Sequence, residues 1–279
     1  MGINIYYLIY NLIFIYIYIL YMKTKFTKNN IILFLCVVLV SLLFIPRHLY
    51  INETFNEHKT GNEVKFITLT NSGYIDYTFN CLESLKKCGY NDTLHCHCIG
   101  KEGHEKLISK GYQSVLIDQE QNSNFQQFRK KNWSNIVVEK YKLIYENLLQ
   151  NKYVCITDGD IVFENNIFMK YLLENIKDND MLIQNDTMDD KDTGNLCSGF
   201  MFIKSTPNTI DLFNPKHTEH KKNEEGWGDQ IYMNEIKHKL KYKTLPLRLF
   251  PNGQYYYKEI TKHDTPYLIH FNSVVGNEK

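Results

Sequence analysis

Apolar and polar positions follow two alternating periods in the chain after residue 62. Short apolar runs rich in β-branched and aromatic residues predict strands, and segments with apolar residues at helical spacing predict helices between them. Strands are predicted at 64–70, 94–99, 113–118, 153–157, 181–184, 200–204, 244–250 and 267–271. Helices are predicted at 77–88, 102–110, 136–149, 167–176, 210–213 and 227–240. This order predicts an α/β, Rossmann-like fold with a mostly parallel sheet flanked by helices.

The chain before residue 63 has a different pattern. Residues 31–45 form an almost unbroken apolar run, and Lys23, Lys25 and Lys28 precede it. No small-residue cleavage site follows, so the pattern favours an uncleaved signal anchor over a removed signal peptide. The lysines would stay in the cytosol and the chain after Arg47 would enter the lumen. We therefore expect a single-pass type II membrane protein that faces the ER or Golgi lumen.

These patterns divide the chain into four segments. An apolar extension (1–22) precedes a cytosolic tail and signal anchor (23–47), a polar stem (48–62) and one folded domain (63–279). One hypothesis is that translation starts at Met22, so that the extension is not part of the protein. N-terminal mass analysis of the native protein would test this.

Composition narrows the possible functions. The net charge of +1 gives no electrostatic reason to expect a nucleic-acid partner. Six cysteines lie outside the apolar segment, a number that permits disulfides without implying them. Four potential zinc ligands stand at 95–98, in the order His-Cys-His-Cys. Because neighbouring strand residues point to opposite faces, this pattern favours a strand with its cysteines buried over a zinc site.

Two acids follow the predicted strand at 153–157. Asp158 and Asp160 are separated only by Gly159, which allows close approach of the backbone to a ligand. Carboxylates at the carboxyl end of a strand in an α/β sheet suit Mg²⁺ or Mn²⁺ bridging to a substrate diphosphate. The simpler interpretation is an acidic turn, and the motif alone does not separate the two.

Other candidate groups are individually ambiguous. His270 ends the last predicted strand and could be a third metal ligand or a hydrogen-bonded core histidine. Lys279 in the following polar tail could neutralise a diphosphate. Asp229 lies near a helix N-terminus, where capping alone would explain a carboxylate. Gly199 is predicted in a turn before a strand, where backbone N–H groups could meet a substrate.

Seven stretches together resemble a known family. They read VKFITLTNSGY, EKYKLIYENLLQNKYVCITDGDIVF, MLIQND, LCSGFMFIKST, GWGDQIYMNE, LPLRLFPNG and LIHFNSVVGNEK. Their order and content resemble the nucleotide-diphospho-sugar transferases, glycosyltransferases of the GT-A fold. The stretch GDQIYMN and the final motif are similar to those of glycogenin-like retaining enzymes. The resemblance covers residues 63–279 and implies a GT-A domain that uses a nucleotide-diphosphate sugar and a glycan or glycoprotein acceptor.

The resemblance also implies a role for particular residues. Asp158, Asp160 and His270 would bind Mn²⁺ or Mg²⁺. Donor contacts would come from Thr68, Thr70, Asn71, Lys142, Asp158, Gly199, Gly276 and Lys279. The sugar and acceptor side would carry Asp186, Asp229 and Gln230, which are the catalytic candidates, together with Gly199. The chain departs from the glycogenin-like pattern by stopping at Lys279. Because no Asp or Glu is placed as an inverting base, a retaining transfer is expected.

Two alternatives remain at this point. A haloacid dehalogenase-type phosphohydrolase also uses an apolar strand ending in Asp-x-Asp, but that strand normally opens the domain. Here several predicted strands and helices come first. The second alternative is a non-catalytic, membrane-anchored sugar-binding protein.

Overall fold

The computed structural model describes residues 63–90, 93–117, 120–126, 130, 132–261 and 263–272. The predicted extension, anchor and stem lie outside these residues, as do Gly276 and Lys279. Within the described ranges, no helix has the length and apolar character to cross a membrane.

A seven-stranded sheet forms the centre of the domain, in the order β3-β2-β1-β4-β7-β6-β8. Its strands are β1 (Val64–Asn71), β2 (Leu94–Ile99), β3 (Ser114–Ile117), β4 (Tyr153–Thr157), β6 (Met181–Asn185), β7 (Leu196–Lys204) and β8 (Tyr242–Leu245). Strands β1 to β4 pair in parallel, and so do β6 and β8. Strand β7 is antiparallel to both β4 and β6. The expected mostly parallel sheet is therefore a mixed sheet with one reversed strand.

Seven helices flank this sheet in the part of the chain that the structure describes. They are α1 (Ile75–Lys87), α2 (Lys101–Ser109), α3 (Trp133–Leu148), α4 (Phe168–Ile176), α5 (Pro207–Leu212), α6 (Asp229–Ile236) and α7 (Gly253–Glu259). Short 3₁₀ turns occupy Ser72–Tyr74, Glu120–Asn122, Pro215–His217, Glu219–Lys221 and Lys237–Lys239. Helix α3 buries Val137, Tyr141 and Ile144 in one apolar cluster with residues of the central strands. This cluster fixes the face that α3 turns toward the sheet.

A second, two-stranded sheet is the element that most directly shapes the site. Strands β5 (Ile161–Phe163) and β9 (Leu268–His270) pair antiparallel, with Ile161 opposite His270. The segment that follows the two acids is thereby paired with the last predicted strand. The apolar residues after Asp160 are thus explained by strand pairing.

Two strand predictions need correction. Cys197-Ser198-Gly199 lies inside β7 and not in a turn, because β7 is long enough to pair with β6 and β4 together. The strand predicted at 244–250 ends at Leu245. Pro246 cannot donate to a ladder, and its carbonyl instead accepts from the N–H groups of Leu249 and Phe250.

Two helix predictions also change. Helix α6 begins at Asp229 after an extended Gly228 and gives way to a 3₁₀ turn after Ile236, so it is shorter than the predicted 227–240. Helix α7 was predicted only as a turn around Gly253. It starts because the Asn252 side chain accepts a hydrogen bond from a backbone N–H in the first turn.

The histidine–cysteine run on β2 behaves as the strand interpretation predicts. Cys96 and Cys98 are fully buried, while His95 and His97 lie on the other face and are partly exposed. None of the six cysteines in the described part of the chain is in a disulfide. The only group of metal-ligating side chains found among the described residues lies elsewhere, at Asp158, Asp160 and His270.

Candidate active site

The two acids and His270 meet at the carboxyl end of β4. One potential ligand atom from each lies within 4.8 Å of the other two. Asp158 directly follows β4, and its backbone N–H donates to the Gly199 carbonyl over 2.7 Å. Asp160 precedes β5, and the β5–β9 pairing brings His270 Nε2 to 3.2 Å from its Oδ1. Three separate elements therefore deliver three ligands to one point.

Two glycines make this convergence sterically possible. A methyl group at Gly159 would lie 2.6 Å from Thr78 Oγ1 on α1. At Gly199 it would lie 2.1 Å from His270 Cε1. The His270 ring thus packs directly on the backbone of β7. The structure gives Gly199 this packing function, which is separate from the donor contact that the sequence predicts.

Lys140, two residues before the predicted donor contact Lys142, is the lysine that contacts the acids. Its Nζ lies 2.7 Å from Asp158 Oδ1 and 2.7 Å from Asp229 Oδ2, and its side chain is 7% exposed. Lys142 is 49% exposed and lies 3.8 Å from Glu139. The sequence held a usable signal, since Lys140 stands three residues after Val137 and four before Ile144, within the apolar stripe of the helix.

The buried lysine governs the charge of the acids around it. Burial raises the pKa of Asp229, but the ion pair and hydrogen bond with Lys140 hold that pKa below its usual range. Burial also raises the pKa of Asp158, with the neighbouring acids adding to the rise and Lys140 opposing it. For His270, burial opposes protonation, yet Cys197 and Asp160 raise its pKa well above the ordinary value. A cationic ligand placed among these groups would replace the proton of His270.

A second carboxylate, Asp186, is surrounded by amides and not by a cation. Gln230 Nε2 donates to its Oδ2 over 2.8 Å, and Asn195 donates to the same oxygen over 3.1 Å. Asn272 Nδ2 donates to Oδ1 over 2.8 Å. Asp186 and Gln230 are therefore in direct contact, as their shared predicted role requires. Asn195 and Asn272 carry no sequence motif that singles them out.

The predicted nucleotide residues at the end of β1 are buried, and the Thr68 hydroxyl has no hydrogen-bond partner among the described residues. Thr68 is fully buried, and Thr70 Oγ1 lies 2.7 Å from Thr78 Oγ1. Asn71 Nδ2 donates to the carbonyls of Asn122 and Asn124 over 3.1 and 2.9 Å. Of the three side chains, that of Asn71 is the one that holds the neighbouring loop. The nucleotide contacts of Thr68, Thr70 and Asn71 stay predictions.

That loop brings an aromatic pair beside the acids. The rings of Tyr74 and Phe125 stack with centroids 5.0 Å apart, and Phe125 is 57% exposed. Burial and the nearby charges of Asp160, Tyr77 and Asp158 raise the pKa of Tyr74 to about 12, so its hydroxyl stays protonated. Tyr74 also donates to the Gln126 carbonyl over 3.2 Å. The sequence analysis gave neither ring a role.

Comparison with known proteins identifies the family of this chain. The family described as nucleotide-diphospho-sugar transferase matches residues 98–279, more than half of the chain. The chain belongs to the nucleotide-diphospho-sugar transferase family. Membership of this family excludes the phosphohydrolase alternative. It also agrees with the position of the acids after β4, since the acids of that alternative normally follow the strand that opens the domain.

Two relatives illustrate the range of similarity. The UDP-galactose:fucoside alpha-3-galactosyltransferase of Dictyostelium discoideum is 23% identical over 274 residues, which cover 76% of this chain. The chain spans 41% of that relative's length. The galactosyltransferase LgtC, solved with donor and acceptor sugar analogues, superposes with a TM-score of 0.51 at 13% identity. That match covers 74% of this chain and 86% of LgtC, and it supports a GT-A fold.

Proposed function

We propose that the protein is a divalent-metal-dependent glycosyltransferase. It would move a sugar from a nucleotide-diphosphate donor to a hydroxyl of a glycan or glycoprotein, with retention of anomeric configuration. The observation that carries the proposal is the convergence of Asp158, Asp160 and His270, whose ligating atoms lie within 4.8 Å of one another. Two carboxylates and one imidazole fit Mn²⁺ or Mg²⁺, which favour oxygen donors and also bind substrate phosphates.

The metal would neutralise the charge that develops on the leaving diphosphate. The chain's own residues have separate tasks around it. Asp158, Asp160 and His270 would hold the ion, and Lys140 would fix the carboxylate of Asp158 in place. Phe125, stacked on Tyr74, would offer an aromatic face to the nucleobase. Gly276 and Lys279, outside the described residues, remain predicted diphosphate contacts.

The acids on the sugar side support a retaining transfer. An inverting enzyme needs a carboxylate free to take the proton of the acceptor hydroxyl. Asp229 is ion-paired with Lys140, and Asp186 accepts hydrogen bonds from three amides. In our proposal Asp186 accepts a hydrogen bond from a donor-sugar hydroxyl, with Gln230 orienting it. The acceptor proton would pass to a phosphate oxygen of the leaving diphosphate.

Galactose is the donor sugar that we propose first. Both relatives described above are named as galactosyltransferases, and one is named for UDP-galactose and a fucoside acceptor. A screen of UDP- and GDP-sugars with Mn²⁺ should therefore show the fastest donor hydrolysis with UDP-galactose. Proton NMR of the transfer product should show an α-linkage.

The control for this screen is Asp160→Ala, which should bind less Mn²⁺ and hydrolyse the donor on the order of 10³-fold more slowly. If wild-type protein binds Mn²⁺ and UDP but neither hydrolyses nor transfers any sugar, the sugar-binding alternative gains and the enzyme proposal fails. If no nucleotide binds with or without Mn²⁺, the whole proposal is wrong.

We also propose the type II membrane orientation predicted from the sequence, supported by the apolar run at 31–45 and the lysines before it. Carbonate extraction and protease protection of the full chain would test it. A full chain released by carbonate would contradict the anchor.

A separate expectation concerns the glycosylation sequon Asn185-Asp186-Thr187. Glycosylation in the lumen would not occur at Asn185. This residue is fully buried, and its Nδ2 donates to the carbonyls of Asp189 and Asp192.

A further inference from the structure

The buried amide of Gln184 contacts the side of His270 that faces away from the acids. Gln184 lies on β6 and has no exposed surface. Its Oε1 is 2.7 Å from His270 Nδ1. Its Nε2 donates to the carbonyls of Phe250 and Pro251 over 3.1 and 3.0 Å. Gln184 stands in the stretch MLIQND, but the sequence analysis gave it no role, and the proposed function does not yet use it.

The two carbonyls determine which way the amide points. A reversed amide would place Oε1 against the oxygens of Phe250 and Pro251, with no proton between acceptors. The amide oxygen therefore faces His270. Because an amide oxygen can only accept, the proton of this hydrogen bond belongs to His270 Nδ1. The Cys197 Sγ, 3.5 Å from the same nitrogen, is a weaker second contact.

A proton on Nδ1 leaves only Nε2 able to offer a lone pair to a metal. Nε2 is the ring nitrogen on the Asp160 side, 3.2 Å from Oδ1. The ring also packs against Gly199, which prevents it from swinging onto β7. The hydrogen bond to Nδ1 thus sets both the tautomer and the direction of the imidazole.

A local irregularity of the sheet gives Gln184 this position. The β6–β7 register shifts between Ile183 and Gln184, so that Gln184 stands opposite Cys197. Irregularities of this kind redirect a side chain relative to a regular strand, and they are common next to active sites. The shift and the fully paired buried amide are two independent features that meet at His270.

We propose that Gln184 is a positioning residue that holds His270 with Nε2 presented to the divalent metal. The inference rests on the proposed metal site, and its test separates the two. Metal-ligating histidines that lose such a partner commonly bind their ion about 10–100-fold more weakly.

The test compares Gln184→Met with Gln184→Glu in the full chain. Both changes remove the amide donors to Phe250 and Pro251, but only glutamate keeps an oxygen acceptor for His270 Nδ1. Mn²⁺ affinity in the presence of UDP is measured from the EPR signal of free Mn²⁺. We expect about 10–100-fold weaker binding in Gln184→Met. In Gln184→Glu we expect binding within about threefold of wild type, because the outer-shell acceptor is kept.

Equal weakening in both variants would show that Gln184 acts only in folding, and unchanged binding in Gln184→Met would also overturn the proposal. The variant His270→Ala separates failure of the positioning inference from failure of the proposed metal site. If that variant binds Mn²⁺ as wild type does, the metal site itself is wrong. If it loses binding while Gln184→Met does not, only the positioning inference fails.

A measurement on unaltered protein covers the case in which Gln184→Met does not fold. In protein labelled with ¹⁵N-histidine and loaded with Mg²⁺ and UDP, His270 should show a slowly exchanging Nδ1–H. The signal is assigned by its absence in His270→Ala. An Nε2–H signal for His270 under the same conditions would overturn the inference.

Discussion

Strand β2 and the end of β4 both carry residues that bind metals, yet they are organised in opposite ways. On β2 four potential ligands are adjacent in sequence, and the strand sends them to two faces of the sheet, with Cys96 and Cys98 fully buried. At the end of β4, Asp158 and Asp160 are close in sequence, but the third ligand, His270, comes from a distant strand, and the three converge within 4.8 Å.

The difference shows that topology, more than sequence proximity, makes a metal site. A strand separates neighbours because its side chains alternate. The β5–β9 pairing joins residues that are far apart in sequence and places them opposite each other. The predictions below either change a residue in one of these two regions or measure how far the regions differ in metal binding, stability and pH dependence.

The largest effect is expected from removing one converging ligand. Asp160→Ala should lower donor turnover by on the order of 10³-fold, because a bound metal contributes several kcal/mol to transition-state stabilisation. The matched change on β2, Cys98→Ala, should leave Mn²⁺ binding unchanged. Donor hydrolysis and Mn²⁺ titration measure both. Full activity in Asp160→Ala would show that the acids after β4 are no more needed for metal-dependent turnover than the cysteines of β2.

The next effect concerns the buried cation between the acids. Lys140→Met leaves Asp158 and Asp229 without their shared partner and should lower the free energy of unfolding by about 3–5 kcal/mol. The control is Lys142→Met on the same helix, expected to cost less than about 1 kcal/mol because Lys142 is half exposed and its Nζ is as far as 3.8 Å from Glu139. Urea denaturation compares them. Similar losses in both variants would mean that burial of Lys140 has no energetic consequence.

A smaller effect should follow from filling the space under His270. Gly199→Ala places a methyl group 2.1 Å from the ring and should weaken Mn²⁺ binding about tenfold or more by displacing the ligand. Gly228→Ala is the control, since its methyl group would meet nothing nearer than Trp133 Nε1 at 3.6 Å. Calorimetric titration with Mn²⁺ measures the difference. Unchanged affinity in Gly199→Ala would show that the ring can move without losing the metal.

The smallest effect is a pH dependence that belongs to β2. Burial, aided by Lys65, lowers the pKa of His97 to about 4. The unfolded chain, with an ordinary histidine pKa near ~6.5, therefore binds more protons between these values. The free energy of unfolding should be constant above that range and fall on acidification, by at most about 1.4 kcal/mol per pH unit. His97→Gln should flatten this slope in urea denaturation at several pH values. An identical slope in both proteins would contradict the shift.

The sequence predicted β1 to β4, β6 and the acids after β4, because these depend on local patterns, but it did not predict the short strand β5. It did not predict that β7 is reversed, since strand direction depends on which neighbour the strand meets. Lys142 stays a predicted donor contact, and the sequence did not single out Lys140, which contacts the acids. The apolar residues three and four positions away from Lys140 already favoured its burial.

The remaining site residues could not have been found from local patterns. Asn195 and Asn272 contact Asp186 from separate elements, and each is an ordinary polar residue in its own segment. Gln184 gains its position from a register shift that only paired strands can produce. Tyr74 and Phe125 become a stacked pair because Asn71 holds the loop that leads into Phe125.

The β5–β9 pairing has a consequence for how the protein reaches its native state. Closing a long stretch of chain costs entropy before any contact is gained, so pairings between distant segments form late in folding. Asp160 and His270 become neighbours only through that pairing. A partly folded chain would therefore lack the complete ligand set. Recovery of Mn²⁺ binding during refolding should lag behind recovery of helical circular dichroism, which makes metal uptake a late marker of folding.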